Sequence, residues 1–531
     1  MSEIVNGQAA SHCRYRGYAK THGKSTEPYF SALYFSYTCS SHAAGGAVLK
    51  PTHIFDRDQE WQGLSSFIER TGPNATLGVI SGRRRQGKSF LLQAAAEAAG
   101  GLYFAATEAT EAESLRMFAD ALVRHTRAPV EYPFRDWNDA IAFLFRQFTG
   151  KPTPVVIDEF PFLARVSPSL PSIIQRELGP GGSGRGSSAR LLLCGSAMSV
   201  MGGLLAGQAP LRGRAGLELV VQPFSYRDAA EFWGLTDPRL ALLVHMVVGG
   251  TPAYREEFTG SDAPDGLADF DAWVVRTVLN RQSPLFREAR YLLAEEPDIR
   301  DPALYHSVLA AIASGNTTNG GIASFIGRRS DQIAHPLNML EDCALISKQP
   351  DLFRSGKAHY RIAEPLITFY EAIMRRRWAE LERNRAPAVW EATRPSFLKQ
   401  VAGPHFESVC RDFAAEADAE LFGALPAEVG SATVNDPAAR TQIEIDVAVL
   451  AAQDSDAPRR ILSLGEAKWG ETIGHGHLHR LERARDLLTA KGYDTRETAL
   501  TCYSAAGFTS ELQQDKRDHM LLIGPPQLYA R

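Results

Sequence analysis

The sequence predicts an α/β protein whose first part is a parallel sheet, followed by a helical segment and a second α/β unit. Three observations predict it. From Val48 to about Leu235, short apolar runs (LGVIS, GLYFAA, PVVIDEF, RLLLCGS, LELVVQPF) alternate with helix-like stretches, the pattern of parallel strands joined by crossover helices. Residues 236 to 374 are mostly helical in pattern and end in a hairpin with a Gly356 turn between LFRS and AHYRIA. From Phe406 onward a helix, the strands QIEIDVAVL and RILSLGEAKW, a helix near 477 to 491 and the strands TALTCYS and MLLIG follow in turn.

A chain of 531 residues exceeds the ~250 residues at which single cores stop growing. The pattern divides it into a weakly ordered extension at 1–48, a nucleotide-binding core at 49–235 and a helical lid at 236–300. A three-helix and hairpin domain at 301–383, a linker at 384–397 and the last α/β unit at 398–531 complete it. GPGGSGRGSS at 179–188 reads as a mobile surface loop. A net charge of -4 with 22% charged residues excludes a broadly basic polyanion-binding surface, so any nucleic-acid contact must be local. The six cysteines are scattered without C-x-x-C spacing, which points to a reducing cytoplasm rather than a disulfide framework or zinc site. Leu191 to Leu211 carries no charge, yet its glycines and polar residues favour a buried strand and a small-residue helix over a membrane span.

Chemistry concentrates first at Gly82-Arg-Arg-Arg-Gln86-Gly87-Lys88-Ser89-Phe90, between the strand LGVIS and an alanine- and leucine-rich helix. The glycines let backbone N–H groups turn inward on phosphates at a helix amino terminus, Lys88 reaches the β- and γ-phosphates, and Ser89 ligates magnesium. Gln86 and Phe90 flank that set as further nucleotide contacts. Some 70 residues on, the strand Val155-Val-Ile-Asp158-Glu159 ends in two acids, Asp158 to hold magnesium through water and Glu159 to polarise the attacking water. The strand Leu191 to Cys194 ends at Gly195-Ser196, where a polar residue can sense the γ-phosphate. The expected cofactors are therefore ATP and Mg2+.

Phe55-Asp-Arg57-Asp-Gln-Glu60, IDEFPFL, LLLCGSAMSVM, APLRGR, QPFSYRDAAEFW and GGTPAY, in this order, resemble the archaeal-type ATPases of the AAA+ and STAND-related P-loop group over roughly residues 50 to 530. The resemblance implies that Phe55 and Arg57 border the adenine pocket, that Ser196 is the sensor and that Arg214 is an arginine finger. A finger acting in trans needs a neighbouring copy, hence a homo-oligomer. The family's usual aromatic is replaced by Arg212 and a frequent second arginine by Ala215, which leaves a structural ion pair as the alternative role for Arg214.

The order ALYHSVLAAIASG, GGIASFIGRRS, QIAHPLNMLEDCALI and hairpin outlines a winged helix-turn-helix, with Arg328, Arg329, Arg354, Lys357, His359 and Arg361 available to lie on DNA phosphates. The alternative is a packing module, and Arg375-Arg-Arg377 is equally open to a solvated helix face. In the last unit, Asp446 and Gly465-Glu466-Ala-Lys468 give D-x19-E-x-K. Alternation puts Glu466 and Lys468 on one strand face, where a hairpin can bring Asp446 beside them. Two carboxylates can then hold a divalent metal, Mg2+ or Mn2+, while the lysine orients water or steadies charge on a scissile phosphate. Glu407, at the start of the helix opened by Gly403-Pro-His, is a further acid, and Glu444 shares the strand face of Asp446. This layout resembles restriction-endonuclease-like PD-(D/E)xK nucleases, a domain that the same ATPase family carries at its carboxy terminus. His475, His477 and His479 lead into a basic helix, which suits a helix start better than a zinc site.

The sequence thus leads to a cytoplasmic ATPase, with no membrane partner, whose nucleotide state controls engagement or cleavage of nucleic acid, DNA by preference. The alternative is a nucleotide-switched regulator or scaffold whose nuclease-like domain binds without cutting.

Overall fold

The computed structural model describes residues 48–128, 132–294, 301–453 and 457–530. The amino-terminal extension at 1–48, apart from Val48, lies outside the described residues.

The first sheet contains β1 (Thr76–Ser81), β2 (Leu102–Ala105), β3 (Thr153–Asp158), β4 (Ala189–Cys194) and β5 (Ala215–Val220), all parallel, in the order β2-β3-β4-β1-β5. The α/β core with a parallel sheet that the apolar runs predict is present. β4 is buried at every position and β3 at all but its first, because crossover helices cover both faces and demand unbroken apolar runs. One residue defies that rule. Arg190 is fully buried in β4, and its guanidinium donates to the carbonyls of Arg70, Asn74, Ser188 and Ala189, which offsets the cost of burying charge.

The glycine- and serine-rich stretch at 179–188 differs from expectation. Ser183 donates through its N–H and hydroxyl to Glu177, Ala75 donates its N–H to Gly184 O, and Ser187 and Ser188 are buried. Small residues here permit a tight, internally bonded turn rather than a loose one. The uncharged run at 191–211 is β4 followed by a short helix, Met198–Gly203, and among the described residues no helix is long and apolar enough to cross a membrane.

Helices Pro238–Val248, Phe270–Arg276 and Leu285–Ala294 follow, with a π-helical turn at Tyr254–Phe258. Then come Pro302–Ala313, Asn319–Phe325 and Ala334–Asp342 and the antiparallel hairpin of β6 (Ile346–Pro350) and β7 (Ala358–Ile362), the helix and hairpin order read from the sequence. The segment expected as a linker is instead largely helix, Ala386–Ser396. Trp390 is buried against Phe270, Phe369 and Phe397, so aromatic packing orders a stretch whose prolines suggested a loose connection. A single apolar cluster runs from Tyr226 to Leu528, so the boundaries drawn at 300, 383 and 397 do not separate independent cores.

The last sheet has the order β12-β11-β10-β9-β8, made of β8 (Glu428–Asp436), β9 (Thr441–Leu450), β10 (Ile461–Lys468), β11 (Ala499–Ser504) and β12 (Met520–Ile523). β8, β9 and β10 are antiparallel; β10, β11 and β12 are parallel. The sequence did not reveal β8, whose polar EVGSATVND buries only alternate residues; its terminal Asp436 is held by both guanidinium branches of Arg483. That pairing keeps the Asp436 carboxyl at about 2, below the usual range. Helix His475–Ala490 covers one sheet face through Leu478, Leu481, Ala484 and Leu488, and Gly403–Ala415 packs on the other through Phe406, Val409 and Cys410.

The Gly249-Gly250 turn that ends the Pro238–Val248 helix packs on Pro365 and Phe224. A Cβ on Gly250 would stand 1.9 Å from Phe224 O, in a turn where Phe224 donates to Gly250 O at 2.8 Å. Gly250→Ala is expected to destabilise the protein by at least about 2 kcal/mol, read as a lowered midpoint of chemical denaturation.

Candidate functional site

The phosphate loop leaves the carboxyl end of β1 and feeds the Lys88–Ala99 helix. Gly82 and Gly87 both adopt positive φ, 146° and 83°, which bends the loop around an open backbone cradle. Lys88 is buried, and its Nζ donates to Arg83 O at 2.8 Å, within the loop. Burial pushes the Lys88 ammonium below its ordinary pKa, against the opposing pull of the Glu159 and Asp158 carboxylates. Ser89 and Phe90 are exposed at the helix start, and Phe90 meets the His53 ring edge-on at 5.4 Å.

β3 lies beside β4, and β4 beside β1, so Asp158, Ser196 and the loop converge at the carboxyl edge of one sheet. Asp158 is buried, accepting from the Tyr103 hydroxyl at 2.6 Å and from the Glu159 N–H at 2.9 Å. Burial and the adjacent Asp158 raise the Tyr103 pKa, so its hydroxyl keeps the proton that it donates. Glu159 has a positive φ of 51°, uncommon for a residue with a side chain, and this turns its carboxylate toward Ser196. The Ser196 hydroxyl stands 3.0 Å and 3.2 Å from the two Glu159 oxygens. Expected base and expected sensor therefore touch.

Arg57 is buried, donates to Gln86 O at 3.2 Å and to Glu60 at 2.9 Å, and lies 4.4 Å from the centre of the Phe224 ring. Phe55 packs on Phe224 and Phe232. This aromatic and guanidinium cluster abuts the loop on its Gln86 side, and Gln86 itself donates to Thr251 at 3.1 Å. Arg214 behaves differently. It is exposed, has no side-chain bond among the described residues and precedes Ala215, which pairs with Leu77 at the opposite end of β1 from the loop. That position sets Arg214 away from the chain's own loop, and no ion pair of Arg214 is present among the described residues.

The loop arginines were not assigned a role from sequence, where a charge run usually signals solvent. Arg83 is buried and pairs with the buried Glu364 at 2.5 Å; Arg85 pairs with the buried Glu288 at 2.5 Å and stacks 4.9 Å from the Phe258 ring centre. The only advance signal would have been two isolated glutamates in apolar helical surroundings. Tyr103 carried none beyond a polar aromatic in a buried strand.

In the carboxy-terminal sheet the acid and lysine set converges. Lys468 Nζ lies 2.8 Å from Glu466 Oε1 and 3.3 Å from Asp446 Oδ2, and the Ala467 N–H donates to that same Asp446 oxygen at 2.9 Å. Arg480 donates to Glu466 Oε1 at 3.1 Å, while buried Glu466 Oε2 has no hydrogen-bond partner. Burial opposes the Lys468 charge, but Asp446 and Glu466 outweigh it and hold its pKa above the ordinary value. Such a lysine stays protonated, which suits steadying negative charge better than abstracting a proton. Glu407 lies near Asp446, and burial followed by that neighbouring charge raises its pKa. Glu444 is exposed. Among the described residues no group of three or more His, Cys, Asp or Glu side chains is placed to hold a metal ion.

The basic residues of the hairpin do not all face outward. Arg354 donates to Asn435 at 2.5 Å, His359 meets Thr317 at 3.0 Å and Arg361 reaches Glu407 at 3.5 Å; Arg328, Arg329 and Lys357 are exposed. Arg375 and Arg377 are tied to Glu371 and Glu380. His475 meets Asp515, and His477 meets Glu471 and the Gly474 N–H at the start of its helix. A cavity of about 650 Å³ opens where Arg83 of the loop, His359 and Arg361 of the hairpin, and Glu407, Glu444 and Asp446 meet.

No family model matches the chain. It is similar to an uncharacterised protein, MJECL04, of Methanocaldococcus jannaschii, 26% identical over 319 residues that make up 59% of this chain and 67% of that protein. Among solved structures it is similar to the Walker-type ATPase PABY2304 of Pyrococcus abyssi, at 18% identity and a TM-score of 0.44 over 60% of this chain and 96% of that one. It is also similar to the ORC2 protein of Aeropyrum pernix in ADPNP and ADP complexes, at 17% identity and a TM-score of 0.36 over 64% and 96% of the two chains.

Proposed function

We propose that the chain binds and hydrolyses ATP at the 82–89 loop and that nucleotide state controls engagement or cleavage of nucleic acid at the Glu407, Asp446, Glu466 and Lys468 cleft. The observation that carries this reading is the convergence of Lys88, Asp158, Glu159 and Ser196 at one edge of a parallel sheet, next to a glycine-bent loop. Loop N–H groups and the helix start bind phosphates, Lys88 neutralises them and Glu159 orients water. Ser89 and Asp158 would hold Mg2+, which adds positive charge against the phosphates. Asp446 and Glu466 would hold a second cation, and the unpartnered Glu466 Oε2 fits that role.

A second reading, a nucleotide-switched regulator that binds without cutting, is favoured by one observation. Lys468 and Arg480 already neutralise Glu466, and Arg361 occupies the Glu407 side.

Both readings require nucleotide state to reach nucleic acid. Fluorescence anisotropy of labelled single- and double-stranded DNA, without nucleotide, with ADP and with a non-hydrolysable ATP analogue, is expected to show at least a tenfold change in affinity between states, about 1.4 kcal/mol. Equal affinities in all three, or no binding, contradict the proposal.

A further inference from the structure

The β6–β7 hairpin is held by hydrogen bonds at its tip and by ion pairs at its open end. At its tip Arg354 bonds Asn435 of β8 and Leu352 donates its N–H to Ser431 O at 3.4 Å, while near its open end, where Arg361 pairs with Ser347, Arg361 reaches Glu407. Just past its end, Glu364 bonds Arg83 of the phosphate loop, a partner 281 residues away in sequence. The acidic cleft therefore opens toward a cavity roofed by the hairpin rather than toward a groove. At about 650 Å³ this space matches a small-ligand pocket, which spans ~300–1,000 Å³, and not a duplex. Glu407 and Asp446 line this cavity together with His359 and Arg361 of the hairpin.

Resting on the nucleotide site proposed above, we infer that Arg83 and Glu364 form a latch that ATP opens, lifting the hairpin and its Arg361 from the acidic cleft. The pair is incomplete as it stands. One bond joins them, while Arg83 Nη1 and Glu364 Oε1 are buried without partners. A guanidinium with an open branch in a phosphate loop can take a phosphate oxygen, and the triphosphate and Glu364 then compete for one cation. Lys88 supplies the trigger: it rests on Arg83 O, and its move to the β- and γ-phosphates frees that carbonyl and the loop segment bearing Arg83. A buried carboxylate that loses its cation is strongly destabilised, which drives Glu364 and the adjoining β7 out of contact. The Gly249 turn packs on Pro365, where a Cβ would stand 3.0 Å from the proline ring, so movement at Glu364 passes directly to the start of the following helix.

Hydrogen exchange on the full chain tests the latch, with peptides covering residues 346–362 and 403–412 followed with and without a Mg2+-bound non-hydrolysable ATP analogue. In the wild type the analogue is expected to speed exchange in both regions at least tenfold. Glu364→Gln, which keeps the shape but removes the charge, is expected to show the faster exchange without nucleotide; Arg83→Met gives the same readout where the first variant folds poorly. Lys88→Ala is expected not to respond. Analogue that binds the wild type by calorimetry yet leaves the hairpin unchanged overturns the latch while the nucleotide site stands. Variants that exchange like the nucleotide-free wild type overturn it equally, and failure of the analogue to bind overturns both the latch and the site on which it rests.

Discussion

Glu159→Gln is expected to bind ATP as the wild type does and to hydrolyse it about 100- to 10,000-fold more slowly, the usual contribution of a positioned general base. The glutamine keeps the side-chain length and still offers an oxygen to the Ser196 hydroxyl, which lies 3.0 Å from Glu159 Oε1. What it loses is the charge that polarises water. Phosphate release under saturating ATP, together with equilibrium nucleotide binding, separates the two effects. Unchanged hydrolysis would move the base elsewhere and reduce Glu159 to the residue that starts the Phe160–Val166 helix. Ser196→Ala frees both carboxylate oxygens and sharpens the comparison, since a sensor that merely parks Glu159 between turnovers would raise the basal rate when removed.

Removing Lys468 or Glu466 is the second large effect. Metal-dependent cleavage of DNA is expected to fall at least about 100-fold in Lys468→Met and in Glu466→Gln, in line with the loss of one group that stabilises developing charge. Both substitutions remove the charge while keeping most of the side-chain volume, and Glu466, which is 1% exposed and contacts both Lys468 and Arg480, keeps Arg480 as a partner when Lys468 is replaced. Cleavage that persists in both variants contradicts a role for this cleft in catalysis. A wild type that hydrolyses ATP and never cuts supports the regulator reading instead.

Much of the fold and site was legible because it is locally encoded. Glycine spacing before Lys88, apolar runs ending at Asp158 and Glu159, and the alternation that places Glu466 and Lys468 on one face are all short-range signals. Three kinds of feature escaped. β8 buries only alternate residues and relies on Arg483, in a later helix, to satisfy Asp436. The helix at Ala386–Ser396 contains Pro395 and is ordered by Trp390 packing on distant aromatics, which no window of local sequence contains. The pairs Arg83–Glu364 and Arg85–Glu288 join residues hundreds of positions apart, so local sequence assigns the loop arginines no role. The arginine at 214 illustrates the reverse case: its type was readable, and only the β1–β5 register shows that its own loop lies at the other end of the sheet.

The most direct measurement is a calorimetric titration of Mg2+-ATP into the full chain and into Lys88→Ala. One nucleotide per chain is expected for the wild type, with affinity at least about 100-fold weaker in the variant, close to 3 kcal/mol, since the buried ammonium proposed to neutralise the phosphates is lost. Equal binding by the two proteins, or none by a folded wild type, would contradict a nucleotide site at this loop.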